Sequence, residues 1–285
     1  MSWWLSGAIS IALSASLGVW LLTPAWPAAS APAWARSCLA LLAGAFVAYL
    51  PAVSLALTDA PPAELLPAVW LVLLHTHNGA MWLLGAAGLV IAGAASFMRA
   101  AAKPGGPGAW PRRATAAGLL LFLIAKAATG HAAEHGMFSA SACIHAIHIG
   151  AGCAWAGSVA VSWRLLLRWT GTPASWPAVL MLRLSQVAAT ALTLVVVSGL
   201  FNVWRLLDAA AGRFGTYEQL LAAKLILVGC AAALGAWNRW HALPRLLGGD
   251  EGVRKPLMRS LCAETTLLAL VVLMAARLAS TMPSM

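Results

Sequence analysis

Ser185–Leu206 reads SQVAATALTLVVVSGLFNVWRL, with a single charge, Arg205, beside its end. About 20 residues of this kind cross the ~30 Å hydrocarbon core of a bilayer as one helix. Seven further stretches read the same way: Trp3–Leu22, Arg36–Leu57, Ala68–Phe97, Ala114–Thr129, His145–Leu167, Tyr217–Trp240 and Ser260–Leu278. The expected fold class is all-α, a polytopic membrane helical bundle with eight transmembrane helices, in a single transmembrane domain over residues 1–285. Composition agrees. The chain is 61% hydrophobic and 9% charged, whereas a soluble domain carries about 25% charged residues.

The net charge of +10 is explained by where the basic residues fall, and it does not point to nucleic acid. Most of them lie in the connections Thr23–Ser37, Met98–Arg113, Arg164–Arg183 and Arg239–Arg259. The alternate connections Thr58–Pro67 and Gly130–Ile144 carry none, and Arg205–Thr216 carries Arg205 and Arg213. Lys and Arg mark cytoplasmic loops, so both termini are expected on the periplasmic side of a bacterial inner membrane. Five of the eight acids (Asp59, Glu64, Glu134, Asp208, Glu218) fall on that outer side too. No Lys or Arg precedes Arg36, so the first span lacks the basic start of a signal peptide and is kept as a helix. The five cysteines are scattered beside apolar stretches without a CxxC, as small buried hydrophobes would be.

Four of the seven histidines lie in Gly130–Ser158, GHAAEHGMFSASACIHAIHIGAGCAWAGS. His131 and His135 are four apart, and His145 and His148 three apart, so each pair shares a helix face. The residues between the pairs read as a short turn, which would bring the four imidazoles to one level of a helical hairpin. Imidazole suits copper, zinc, iron and nickel, and Met137 and Cys143 would add softer sulfur. Four unrelated histidines at an interfacial turn is the plainer alternative. In the third span His77 and Met81 share a face at a similar depth, and on a regular helix His75 points nearly opposite. The metal site expected is His77, Met81, His131, His135, His145 and His148. HNGAMWLLG (His77–Gly85) and HIGAGCAWAG (His148–Gly157) also echo each other, through duplication or through chance in a Gly/Ala/Trp-rich chain.

His131-Ala-Ala-Glu134-His135 spells H-x-x-E-H, a zinc-peptidase pattern. The small loop at a membrane end leaves no substrate cleft, so the chain is not expected to be an enzyme, and Glu134 is better read as drawing or orienting a cation site. Ionisable residues inside spans are functional candidates. Lys126 and Lys224 can snorkel outward, with Asn202 and Trp204 beside Lys224 at the outer end of the later spans. Glu264 is expected to join Arg183, Asn238 and Arg239 in an inner polar cluster that fixes packing and binds no metal.

The C-terminal half carries a recurring pattern: Arg183 and Ser185 opening a span, Ser198-Gly199 ending one, and Tyr217 with Leu220, Leu221 and Lys224 opening the next. Asn238-Arg239 closes that span, and Arg259, Ser260 and Glu264 open the last. With Gly130-His131 and the His148, Trp155, Gly157 spacing, this resembles the CopD/PcoD copper-resistance family of bacterial inner-membrane proteins from about Gly130 onward. The resemblance implies a multi-pass inner-membrane protein handling copper ion, with transport from periplasm to cytoplasm and a separate periplasmic CopC-like carrier as partner. Two other readings stand beside copper transport. One is a haem-binding membrane electron-transfer protein or cupric reductase, since paired histidines in a bundle ligate haem iron. The other is a copper-delivery assembly factor that moves no ion inward.

Overall fold

The computed structural model of the chain describes residues 3–25, 34–101, 109–129, 140–169, 175–209 and 216–280. Every regular element in them is a helix: α1 Trp3–Leu22, α2 Trp34–Thr58, α3 Leu65–His75, α4 His77–Ala101, α5 Trp110–Ala127, α6 Ala140–Leu167, α7 Trp176–Ala209, α8 Thr216–Trp237, α9 Leu243–Leu247 and α10 Arg254–Leu278. A π-helical turn, Asn238–Ala242, joins α8 to α9. In lipid every backbone polar group must be bonded inside its own segment, which is why apolar runs of this length become helices.

Among the described residues seven helices are long and apolar enough to cross a membrane: α1, α2, α4, α6, α7, α8 continued to Leu247, and α10. The fourth expected span corresponds to α5. It is 18 residues long and carries Arg112, Arg113 and Lys126, so length and hydropathy alone do not place it in that set. Many large apolar side chains face outward, including Leu41, Val47, Leu66, Trp70, Val90, Val197, Leu200 and Ile226. Lipid is as apolar as the interior, so these helices show no polar face to contrast with a buried one.

The chain divides into two compact units. One holds Met1–Leu13 and Pro32–Gly150, the other Ser14–Ala31 and Ala151–Met285. In the first, Phe46 stacks on Trp82 with ring centroids 4.8 Å apart and meets Phe122 edge-on at 5.0 Å. In the second, Leu180, Leu257, Leu261 and Val159 form the core. There α1 and α6 touch backbone to backbone: a Cβ on Gly157 would collide with the Ser14 carbonyl, and one on Gly18 with Gly157 itself. Ser14-x-x-x-Gly18 is the small-residue spacing that lets membrane helices approach this closely.

The third span departs from expectation. Ala68–Phe97 is not one helix: Thr76 is extended (φ −125°, ψ 154°) and separates α3 from α4. Its hydroxyl donates to the Val72 carbonyl at 2.7 Å and accepts the Gly79 N–H at 3.1 Å. One side chain therefore closes α3 and caps the start of α4. Gly79 sits against the Val72 and Leu73 carbonyls, where a Cβ has no room. The regular-helix geometry expected for His75 and His77 does not apply across this break. Thr76→Val, which keeps the shape and removes both bonds, should cost about 1 kcal/mol, in the range of a lost cap, read as a lower unfolding midpoint in detergent.

Outside the spans, Asp250 turns the chain between α9 and α10. It accepts Arg245 Nε at 2.9 Å and the Gly252 N–H at 2.8 Å. The Arg245 hydrogen bond, then that from Gly252, holds its carboxyl below the ordinary carboxylate range. This contribution is present above the ordinary value and is lost as pH falls through the lowered one. Arg254, at the head of α10, lies over the Trp169 ring at 4.9 Å.

Candidate metal centre and polar cluster

Of the six expected metal ligands, His77, Met81, His145 and His148 are described, whereas His131 and His135 lie outside the described residues, as do Glu134 and Met137. The four described ones belong to the first unit. His77 begins α4 and is exposed, and Met81 is buried one turn on. His145 and His148 are half-buried in the first turns of α6, and Cys143 before them is exposed. Among the described residues no group of three or more His, Cys, Asp and Glu comes together in a metal-holding arrangement.

His77 Nε2 lies 3.1 Å from the Ala128 carbonyl oxygen. A carbonyl only accepts, so Nε2 is the donor, and in the neutral ring the lone pair is then on Nδ1. That is how metal-binding histidines are commonly oriented, one nitrogen donating to a carbonyl and the other left for the ion. The bond also ties the start of α4 to the end of α5, three residues before His131 in the chain. Gly150, two residues after His148, faces α5 as well, since a Cβ there would lie 2.6 Å from Leu123 Cδ2. The sequence echo does not extend to contacts. Trp82 stacks on Phe46, whereas Trp155 donates to a carboxylate (below).

In the second unit the C-terminal pattern residues converge. Arg239 Nη1 donates to the Ser185 carbonyl at 3.2 Å and to Ser185 Oγ at 2.8 Å, and Arg183 Nε donates to the Leu21 carbonyl at 3.3 Å. Asn238 Nδ2 donates to Glu264 Oε2 at 3.0 Å. The expected cluster is therefore assembled in part, with a different wiring: both arginines turn to α1 and α7, and Glu264 receives uncharged donors. Its second donor is Trp155 Nε1, 3.1 Å from Oε1. Sequence reasoning missed this partner because 109 positions separate the two and a tryptophan in an apolar span carries no mark of its bonding. Near the end of α7, Trp204 is exposed and packs on Phe201 at 6.0 Å, and Asn202 in α7 and Lys224 in α8 are half-buried.

This converging segment is the part of the chain with a known counterpart. Residues 178–278 match the CopD family, copper resistance protein D. No curated protein and no solved structure matches the chain. The CopD match takes in Arg183, Ser185, Asn238, Arg239 and Glu264, all just described. Together with the seven long apolar helices it fits a multi-pass inner-membrane protein.

Proposed function

We propose that this protein carries copper ion across the bacterial inner membrane, from periplasm to cytoplasm. The observation that carries the reading is the CopD match over residues 178–278. In this reading α5 is the eighth span of a single transmembrane domain, both termini are periplasmic, and copper first binds at the outer boundary through His131, His135, His145 and His148, with His77 and Met81. The His77 bond to Ala128 supports it, because it holds one ligand beside the chain leading to His131 with Nδ1 free of that bond. Imidazole with nearby thioether suits copper in either oxidation state, and a loop without basic residues leaves the local potential favourable to a cation. A separate periplasmic CopC-like carrier would deliver the ion. No catalytic step is assigned.

Metal analysis and an absorption spectrum of the purified protein, followed by uptake into proteoliposomes, test the proposal. Bound copper that enters the vesicle lumen, without a Soret band, is the expected result. A Soret band would make the chain a haem protein, and bound copper that never crosses would make it a delivery factor. The topology has its own check: a reporter active only in the periplasm, inserted in the connection at residues 103–110, should stay silent. A strong signal would place the histidines in the cytoplasm.

A further inference from the structure

We propose that Glu264 is a proton-exchange site whose carboxyl takes up and releases a proton through a recess beside the π turn. The side chain is 2% exposed, within a helix apolar enough to cross the membrane. An ionised carboxylate so far from water is costly unless a charge pairs with it. Here both hydrogen bonds come from neutral groups, Trp155 and Asn238, which keep an oxygen acceptor whether or not the carboxyl holds a proton. The elements packed around it supply mostly uncharged groups. α6 supplies Trp155, α7 supplies Met181 and Ser185, and α8 with its π turn supplies Gly235, Asn238 and Arg239. Among those lining residues Arg239 is the charged one besides Glu264, and its guanidinium is bonded to Ser185.

Two further buried oxygens are unpartnered around the carboxyl. Asn238 is 4% exposed and Ser260 8% exposed, and neither Asn238 Oδ1 nor Ser260 Oγ has a hydrogen-bond partner. Ser260 lies one turn before Glu264 on the same face of α10, and helical side chains lean toward the preceding turn. That tendency directs Glu264 toward the turn carrying Ser260 Oγ, which has no hydrogen-bond partner. Buried acceptors without donors are rare, and a visiting water or the acid's own O–H would satisfy these. The π turn that presents Asn238 is a kind of backbone irregularity that recurs at functional sites. The recess lined by Ser185, Gly235, Asn238 and Arg239 reaches Glu264, and in this proposal it is where water meets the carboxyl. The step is a plain proton transfer: a protonated water in the recess gives H⁺ to a Glu264 oxygen, forming an O–H bond, and the reverse step returns it.

Coupling of this exchange to copper movement rests on the transport reading above, so the test has two readouts. In the first, acid-minus-alkaline infrared difference spectra of the full-length protein should contain a carboxylic-acid C=O band that Glu264→Gln lacks and Glu264→Asp shifts. A band unchanged in both variants, or absent from the wild type, overturns the proposal, and this readout needs no transport. In the second, wild-type copper uptake into proteoliposomes should change with an imposed pH gradient, and Glu264→Gln should bind copper normally yet take it up at the same rate with and without the gradient. Gradient dependence retained in Glu264→Gln overturns the coupling and leaves transport standing. Absence of uptake in the wild type overturns transport and leaves the infrared result to decide on Glu264.

Discussion

Gly157→Ala should destabilise the protein by about 1–3 kcal/mol, the usual cost of forcing extra atoms into a packed interior. The new methyl group would fall on the Ser14 carbonyl, a backbone atom that no rotamer change can move aside. α1 and α6 would have to separate, losing the contacts that the Ser14-x-x-x-Gly18 spacing allows. Gly152→Ala is the matched control, on the same helix. Nothing lies within 4 Å of a Cβ there, and removing a helix-interior glycine should raise stability by about 0.5–1 kcal/mol. Unfolding midpoints of the two variants in detergent should therefore move in opposite directions. Equal behaviour would mean that α1 and α6 are not in contact through Gly157.

The second large effect is on copper itself. His145→Ala with His148→Ala should abolish bound copper in a protein that still folds, because both side chains sit half-buried on the first turns of α6, away from the packed residues Val159 and Leu166 further along that helix. Losing a group that merely orients a ligand costs about 10–100-fold in metal affinity, and removing two ligands should exceed that. Ligation needs neutral imidazole, so protons compete for the site and wild-type affinity should fall in acid. Wild-type copper stoichiometry in the double variant, with unchanged copper sensitivity of the cells, would remove His145 and His148 from the copper site.

Seven of the eight expected spans were legible as helices long and apolar enough to cross a membrane, because apolar length is a property of the sequence alone. How the third crossing is built was not. Leu65 to Phe97 is apolar apart from the polar run His75-Thr76-His77-Asn78, and hydropathy reports the surroundings of a residue without its backbone angles. Thr76 breaks the helix with its own hydroxyl, and no proline at that point announces it. Glu264 was legible as an oddity, since an acid inside a span stands out. Its partners were only half legible: Asn238 lies 26 positions away in the neighbouring helix, whereas Trp155 depends on how α6 packs. The expected metal ligands divide in the same way. The spacing of His145 and His148 places both on one face of α6, but the His77 bond to Ala128 exists because α4 packs along α5.

The length of α7 carries one more consequence. Its 34 residues would measure about 51 Å end to end, against about 30 Å of hydrocarbon and about 40–45 Å for a whole bilayer. Such a rod must lean steeply or protrude, and either choice links its posture to the thickness of the membrane around it. Bilayer thickness thereby becomes a physical variable that acts on the helix bearing Ser185. Vesicles of graded acyl-chain length would reveal it as a graded shift in unfolding midpoint, with the lipid acting as a mechanical setting on the protein.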